Sequence, residues 1–202
     1  MAQKVPSWSK IAILPLLLAA WLASGFSNPI AHAGWETRFD KADRETLRLP
    51  PSAFPDLPEA VARELDDRGC SIPQWWFRET PHNVISGAFQ RPGQTDWAVL
   101  CSVDRRSVIL VFWNGSPETV AELPDSAGMD RNWLQVIGGG RIGFSRLISA
   151  ADKRYILDHY DAYGGPEPPL IDHRGINDAF AEKASAVNYW HDGRWLELSG
   201  AD

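Results

Sequence analysis

The chain has 202 residues, with 20 basic against 26 acidic side chains and a formal net charge of −6. That acidity repels phosphate backbones and anionic lipid surfaces, so nucleic-acid and membrane-surface binding are not expected of it. The length suits one domain with a core of its own, independent of metal or a dense disulfide framework.

Residues 1–33 read as a secretory signal. Lys4 and Lys10 form the positive start, Ile11 to Phe26 the apolar run, and Ala31-His32-Ala33 a small-x-small cleavage site before Gly34. The apolar run is shorter than the roughly 20 residues a spanning helix needs, and Pro15 and Gly25 interrupt it. No twin-arginine pair or cleavage-site cysteine is present, so the expectation is a cleaved Sec signal, no retained span and a periplasmic or secreted protein. Cleavage leaves 18 basic against 26 acidic residues, a net charge of −8.

Residues 34–57 are charged and then rich in proline (Pro50, Pro51, Pro55), and read as an extended lead-in to a single β-rich domain over 58–202. At its start Pro58 suits an early helical position. Leu57, Val61 and Leu65 make one apolar stripe, and Gly69 is placed to end a short amphipathic helix. The two cysteines, Cys70 and Cys101, are expected to pair in an oxidising compartment, two separate buried thiols being the alternative.

Nearly everything beyond reads as β-structure. Runs at 84–89, 96–103, 107–113, 119–123, 133–137, 141–148, 154–160, 186–190 and 194–198 are rich in β-branched and aromatic residues and broken by turn residues. The fold class expected is mainly β: an antiparallel meander in propeller-blade-like or sandwich-like sheets, with one short N-terminal helix. Ser107 to Trp113 is apolar on both faces and predicts a central strand covered on both sides, one cover being the helix. Asp192-Gly193 predicts a tight hairpin. The connection from Asp161 to Asn177 is long, polar and rich in proline and glycine, a place where function often resides.

The segment Val84-Ile85-Ser86-Gly87-Ala88-Phe89-Gln90-Arg91-Pro92-Gly93-Gln94-Thr95-Asp96-Trp97-Ala98-Val99-Leu100 resembles one FG-GAP or VCBS-type repeat, the unit of many secreted β-propellers. The resemblance implies a blade-like hairpin, and in that family the turn ligates Ca²⁺ through several Asp or Asn side chains. Here only Gly93 and Asp96 hold the pattern, with Gln90, Arg91 and Gln94 where oxygen anions would be wanted, so calcium is not expected. Asp172-His173-Arg174-Gly175-Ile176-Asn177-Asp178 resembles a calcium loop in the same way, again with arginine at a ligand position. In both turns two readings stand: ordinary turns with solvated charges, or an arginine in the place of the dication, Arg91 pairing with Asp96 and Arg174 with Asp178 or Asp172. The C-terminal stretch from Asp178 and residues 115–123 also look like secreted bacterial proteins of no assigned activity.

Trp75 and Trp76 lie in a loop between Pro73 and Pro81, where indoles stack on sugars or anchor proteins, whereas Trp97 and Trp113 fall in apolar runs and are expected inside. His159 and His173, with Asp158, Asp161 and Asp172, bracket the long connection; no metal-ligand spacing such as His-x-x-x-His is present, and no metal or cofactor is expected. The sequence therefore predicts a non-enzymatic domain that binds an envelope protein or glycan through Trp75, Trp76, His159 and His173. The rival is a periplasmic hydrolase, metal-assisted if the His and Asp residues around 158–178 converge. No catalytic residue is assigned, and no sequence signal bears on oligomeric state.

Overall fold

The structure is a computed structural model that describes residues 29–77 and 79–198, with side chains from Thr37 onward. Residues 1–28, most of the expected export signal, lie outside the described residues. In chain order the elements are α1 (Pro29–Glu45), β1 (Arg48–Leu49), α2 (Glu59–Asp67), β2 (Ile72–Pro73), β3 (Val84–Gly87), β4 (Asp96–Val103) and β5 (Arg106–Phe112). There follow β6 (Val120–Glu122), β7 (Gly128–Met129), β8 (Leu134–Ile137), β9 (Arg141–Phe144) and β10 (Arg146–Ala151). The C-terminal part contributes α3 (Lys153–Tyr163), β11 (Gly175–Phe180), β12 (Ala184–His191) and β13 (Arg194–Glu197).

The protein is mainly β, and every strand pairing among the described residues is antiparallel. Two sheets dominate, one ordered β3-β4-β5-β6 with β7 at the far end of β5, the other β10-β11-β12-β13. Period-2 alternation explains how they stack. From the first sheet Ala98, Leu100, Ile109 and Val111 meet Ile148 and Ile176 of the second in one buried cluster, which the β8–β9 hairpin extends with Leu134 and Phe144. On the other face of the first sheet Val99, Cys101, Leu110 and Phe112 pack against Leu57, Val61 and Leu65 of the α2 region. On the other face of the second sheet Val187 and Tyr189 pack against Ile156 of α3. The layers thus run α2, sheet, sheet, α3. Val61, Leu65 and Ile156 are each 1% exposed or less, and burying such a side chain contributes about 1.5–3 kcal/mol.

Strand β5 is central and covered on both sides, as its two-faced apolar pattern predicts, and α2 is one of the covers. The disulfide Cys70–Cys101 joins the end of α2 to β4, with the two Cα atoms 5.1 Å apart. The Asp192-Gly193 hairpin forms as expected: His191 pairs with Arg194, and both turn residues adopt positive φ, 48° and 79°.

Three expectations fail. The lead-in is not extended throughout: α1 continues to Glu45, and Phe39 and Ala42 rest on the main core. Proline governs only the stretch after β1, where Pro51–Ala53 is a single 3₁₀ turn. Residues 154–160 are helix, not strand, so α2 is not the only short helix. Asp152 caps α3 by accepting from Tyr155 N at 2.8 Å, Arg154 and Asp158 pair one turn apart, and Gly164 at φ 73° ends it. The third concerns Asp172 to Asp178, read as a turn that keeps a loop shape without metal. Gly175–Phe180 is strand β11, with Asp178 opposite Ile148 of β10, so the true connection is only the stretch from Gly164 to Arg174.

Candidate functional site

Trp75, Trp76 and Phe77 follow β2 and form one corner. Phe77 is 66% exposed and leans on both indoles, at ring-centroid distances of 5.6 Å from Trp75 and 5.3 Å from Trp76. The indoles are half-buried rather than free, for a local reason. Trp76 N donates to Phe144 O at 3.0 Å, which lays the ring over Gly143, where a Cβ would come within 2.7 Å of the indole. Only glycine allows that approach. Just before them Gln74 is 4% exposed and makes a two-sided bridge to the backbone of His82, accepting from its N–H and donating to its carbonyl. Leu47, 61% exposed, joins Trp75, Trp76 and Ile142 around a hollow of about 260 Å³.

His159 and His173 line neither this hollow nor its walls, and each packs on tyrosines of its own. On α3, His159 lies between Tyr155 and Tyr163, at ring distances of 4.3 Å and 5.4 Å, with its Nδ1 buried and unbonded. His173 precedes β11 and stacks flat on Tyr189, 4.3 Å away at 10°. Tyr189 O–H in turn donates to Asp172 Oδ1 at 3.2 Å and accepts from Asp172 N. Burial raises the Tyr189 phenol above its ordinary pKa, with the Asp172 charge adding to the shift and backbone hydrogen bonds opposing it. Burial likewise raises Tyr155, against a hydrogen bond from Ser185. No group of three or more His, Cys, Asp or Glu side chains fit to hold a metal occurs among the described residues.

The arginine-for-dication idea is overturned at both turns. Asp96 is fully buried, and its carboxylate accepts from Phe89 N, Gln90 N and Asn114 N at 2.8–2.9 Å and from the Gln94 amide. Arg91 reaches Gln94 Oε1 instead, at 2.8 Å. Peptide N–H groups hold that turn. Asp178 is held by Arg146 rather than Arg174, which is exposed.

Arg146 is the residue sequence reasoning missed. It opens β10 facing the interior and is 0% exposed. Its fork pairs with Asp178 through Nε at 2.9 Å and Nη2 at 2.7 Å, while Nη1 donates to Ser107 Oγ and Nη2 to Ser126 O. The guanidinium also lies 4.1 Å from the Trp133 ring centroid. The signal was available in the alternation of Arg146-Leu147-Ile148-Ser149-Ala150, which places the arginine on the same face as Ile148. Beside it Asn83, fully buried at φ 70°, donates to Pro73 O and Arg146 O and accepts from Ile148 N, stapling the second sheet to the start of the first.

Above the Arg146–Asp178 pair the two sheets part to leave an open cleft of about 520 Å³, walled by Trp133 and Phe180 on apolar parts and by Asp125, Asn188 and Glu197 on polar ones. A second ionic cluster adjoins the first through the cross-strand pair Ser102 and Ser107: Asp130, fully buried, accepts from Arg48 and Ser102, and Arg48 also pairs with Asp43 at the end of α1. It fastens α1 to the first sheet. Among the described residues no helix is long and apolar enough to cross a membrane. No family model, no curated protein and no solved structure matches this chain.

Proposed function

We propose that the chain is an exported, non-enzymatic binding domain for a protein or glycan of the cell envelope, and that it makes contact through the corner of Leu47, Trp75, Trp76 and Phe77. One observation carries this reading: Phe77 and Leu47 are 66% and 61% exposed beside the hollow the two indoles line, an aromatic surface that solvent alone does not explain. The indole N–H edges of Trp75 and Trp76 are buried, so the corner offers apolar and ring surface, which suits a sugar face or a partner's apolar anchor. His159 and His173 are packed against tyrosines and line neither the hollow nor its walls, so they leave this contact surface.

The oxidised domain, immobilised and exposed to envelope extract and to a panel of envelope glycans, tests the idea. A Phe77→Ala, Leu47→Ala double variant spares the core because both side chains are exposed. Loss of the retained species with that variant, while its melting curve stays unchanged, is the expected result. Equal retention by both forms would remove the corner as the contact.

A further inference from the structure

We infer that the cleft between the two sheets is a second binding site, one that takes a small cationic amine with hydrogen-bonding groups on its body. It shares no lining residue with the aromatic corner. Its volume of about 520 Å³ lies in the range of small-molecule sites.

The argument starts from Asn188. This residue is on β12 facing the cleft, is 7% exposed, and its side-chain amide has no hydrogen-bond partner among the described residues. Its amide atoms keep some exposure and open onto the cleft they line, where a ligand can take the place of water. Directly opposite it across the ladder is Glu197 of β13. Strand partners on one face lie about 5 Å apart, so a single ligand can span both.

Charge then selects the ligand. The ionisable residues lining the cleft are Asp125, Asp178 and Glu197, all acidic. Arg146 already neutralises Asp178, while Asp125 and Glu197 form no ion pair among the described residues. Two uncompensated carboxylates beside an amide oxygen make a seat for an ammonium group, and the amide N–H is left to donate to an oxygen on the same ligand. Trp133 and Phe180 supply the apolar wall against which its body rests.

An amino sugar and an amino-acid amide both present this chemistry. Binding of glucosamine and of leucinamide, followed by Trp133 fluorescence and by the Asn188 side-chain amide resonance, distinguishes them, with their N-acetylated neutral forms as controls. At least one charged form is expected to bind about tenfold tighter than its neutral control and to weaken with added salt. Glu197→Gln, at an exposed position, should weaken binding about three- to tenfold, and Asn188→Leu about tenfold or more. Asn188→Leu should also keep or raise the melting temperature, which a structural role for the amide would not permit. Three outcomes would each overturn the assignment: equal affinity for charged and neutral forms, no effect of either substitution, or no binding of either amine at about 10 mM.

Discussion

Replacing Asp178 by Asn is the most direct test of how the two sheets are held. The substitution keeps a carboxamide oxygen near Arg146 but removes the negative charge, leaving a guanidinium that is 0% exposed with Ser107, Ser126 and the Trp133 ring as its remaining partners. Removing one member of a buried ion pair costs about 3–5 kcal/mol, mostly because the other charge is stranded. Asp178 is 12% exposed at the cleft floor, so water reaches the edge of the pair and the lower figure, about 3 kcal/mol, applies. In a domain of this size each kcal/mol moves the melting midpoint by about 2–4 °C, giving an expected drop of about 6–12 °C. Urea and thermal melts read by tryptophan fluorescence measure it. The combination Arg146→Met with Asp178→Leu, which strands no charge, should recover most of the loss. A drop below about 2 °C for Asp178→Asn would refute the reasoning, since the pair would then hold nothing together.

Reduction of Cys70–Cys101, which closes a separation of 31 residues, should lower stability by roughly 3–4 kcal/mol, read as a shift in urea midpoint with and without reductant. Asp96→Asn exchanges a buried carboxylate that collects three backbone N–H bonds for an amide that accepts with only one oxygen; about 2 kcal/mol should be lost, while added calcium should leave the melting curve of the unaltered protein in place. Tyr189 is raised above its ordinary pKa of about 10, so the unfolded chain gives up that proton first as pH rises. Its contribution is therefore complete below pH about 10 and is lost as pH climbs through the folded value; Tyr189→Phe should lose about 1 kcal/mol at neutral pH yet show a shallower alkaline decline above pH about 10 in a urea-midpoint series.

Where a residue's role was set by its neighbours in sequence, reading the sequence was enough. The α2 stripe of Leu57, Val61 and Leu65, the two-faced pattern of β5 and the Asp192-Gly193 turn are all local signals, and each element lies where they place it. Residues 154–160 misled because Tyr155, Ile156 and Tyr160 give the run the aromatic and β-branched content of a strand, while the decisive Asp152 cap lies outside it. The cleft was hidden for a different reason. Arg146, Asp178, Asn188 and Glu197 come from four strands, and only register brings Asn188 opposite Glu197 and Ile148 opposite Asp178. The aromatic corner was half legible: Trp75 and Trp76 stand out by type, but Phe77, the most exposed of the three, gains its importance from the packing of Trp76 on Gly143.

Each large sheet is continuous in the chain, β3 to β7 first and β10 to β13 afterwards. A polypeptide delivered from its amino end therefore completes the first sheet, α2 and the cross-link between Cys70 and Cys101 while the second is still being supplied. During that interval Ala98, Leu100, Ile109 and Val111 form a bare greasy plane, and Asn83 waits without the Arg146 carbonyl and Ile148 N–H it will bind. The nascent half is then at its most adhesive, and arrival of β10 both covers the plane and locks the two halves in register.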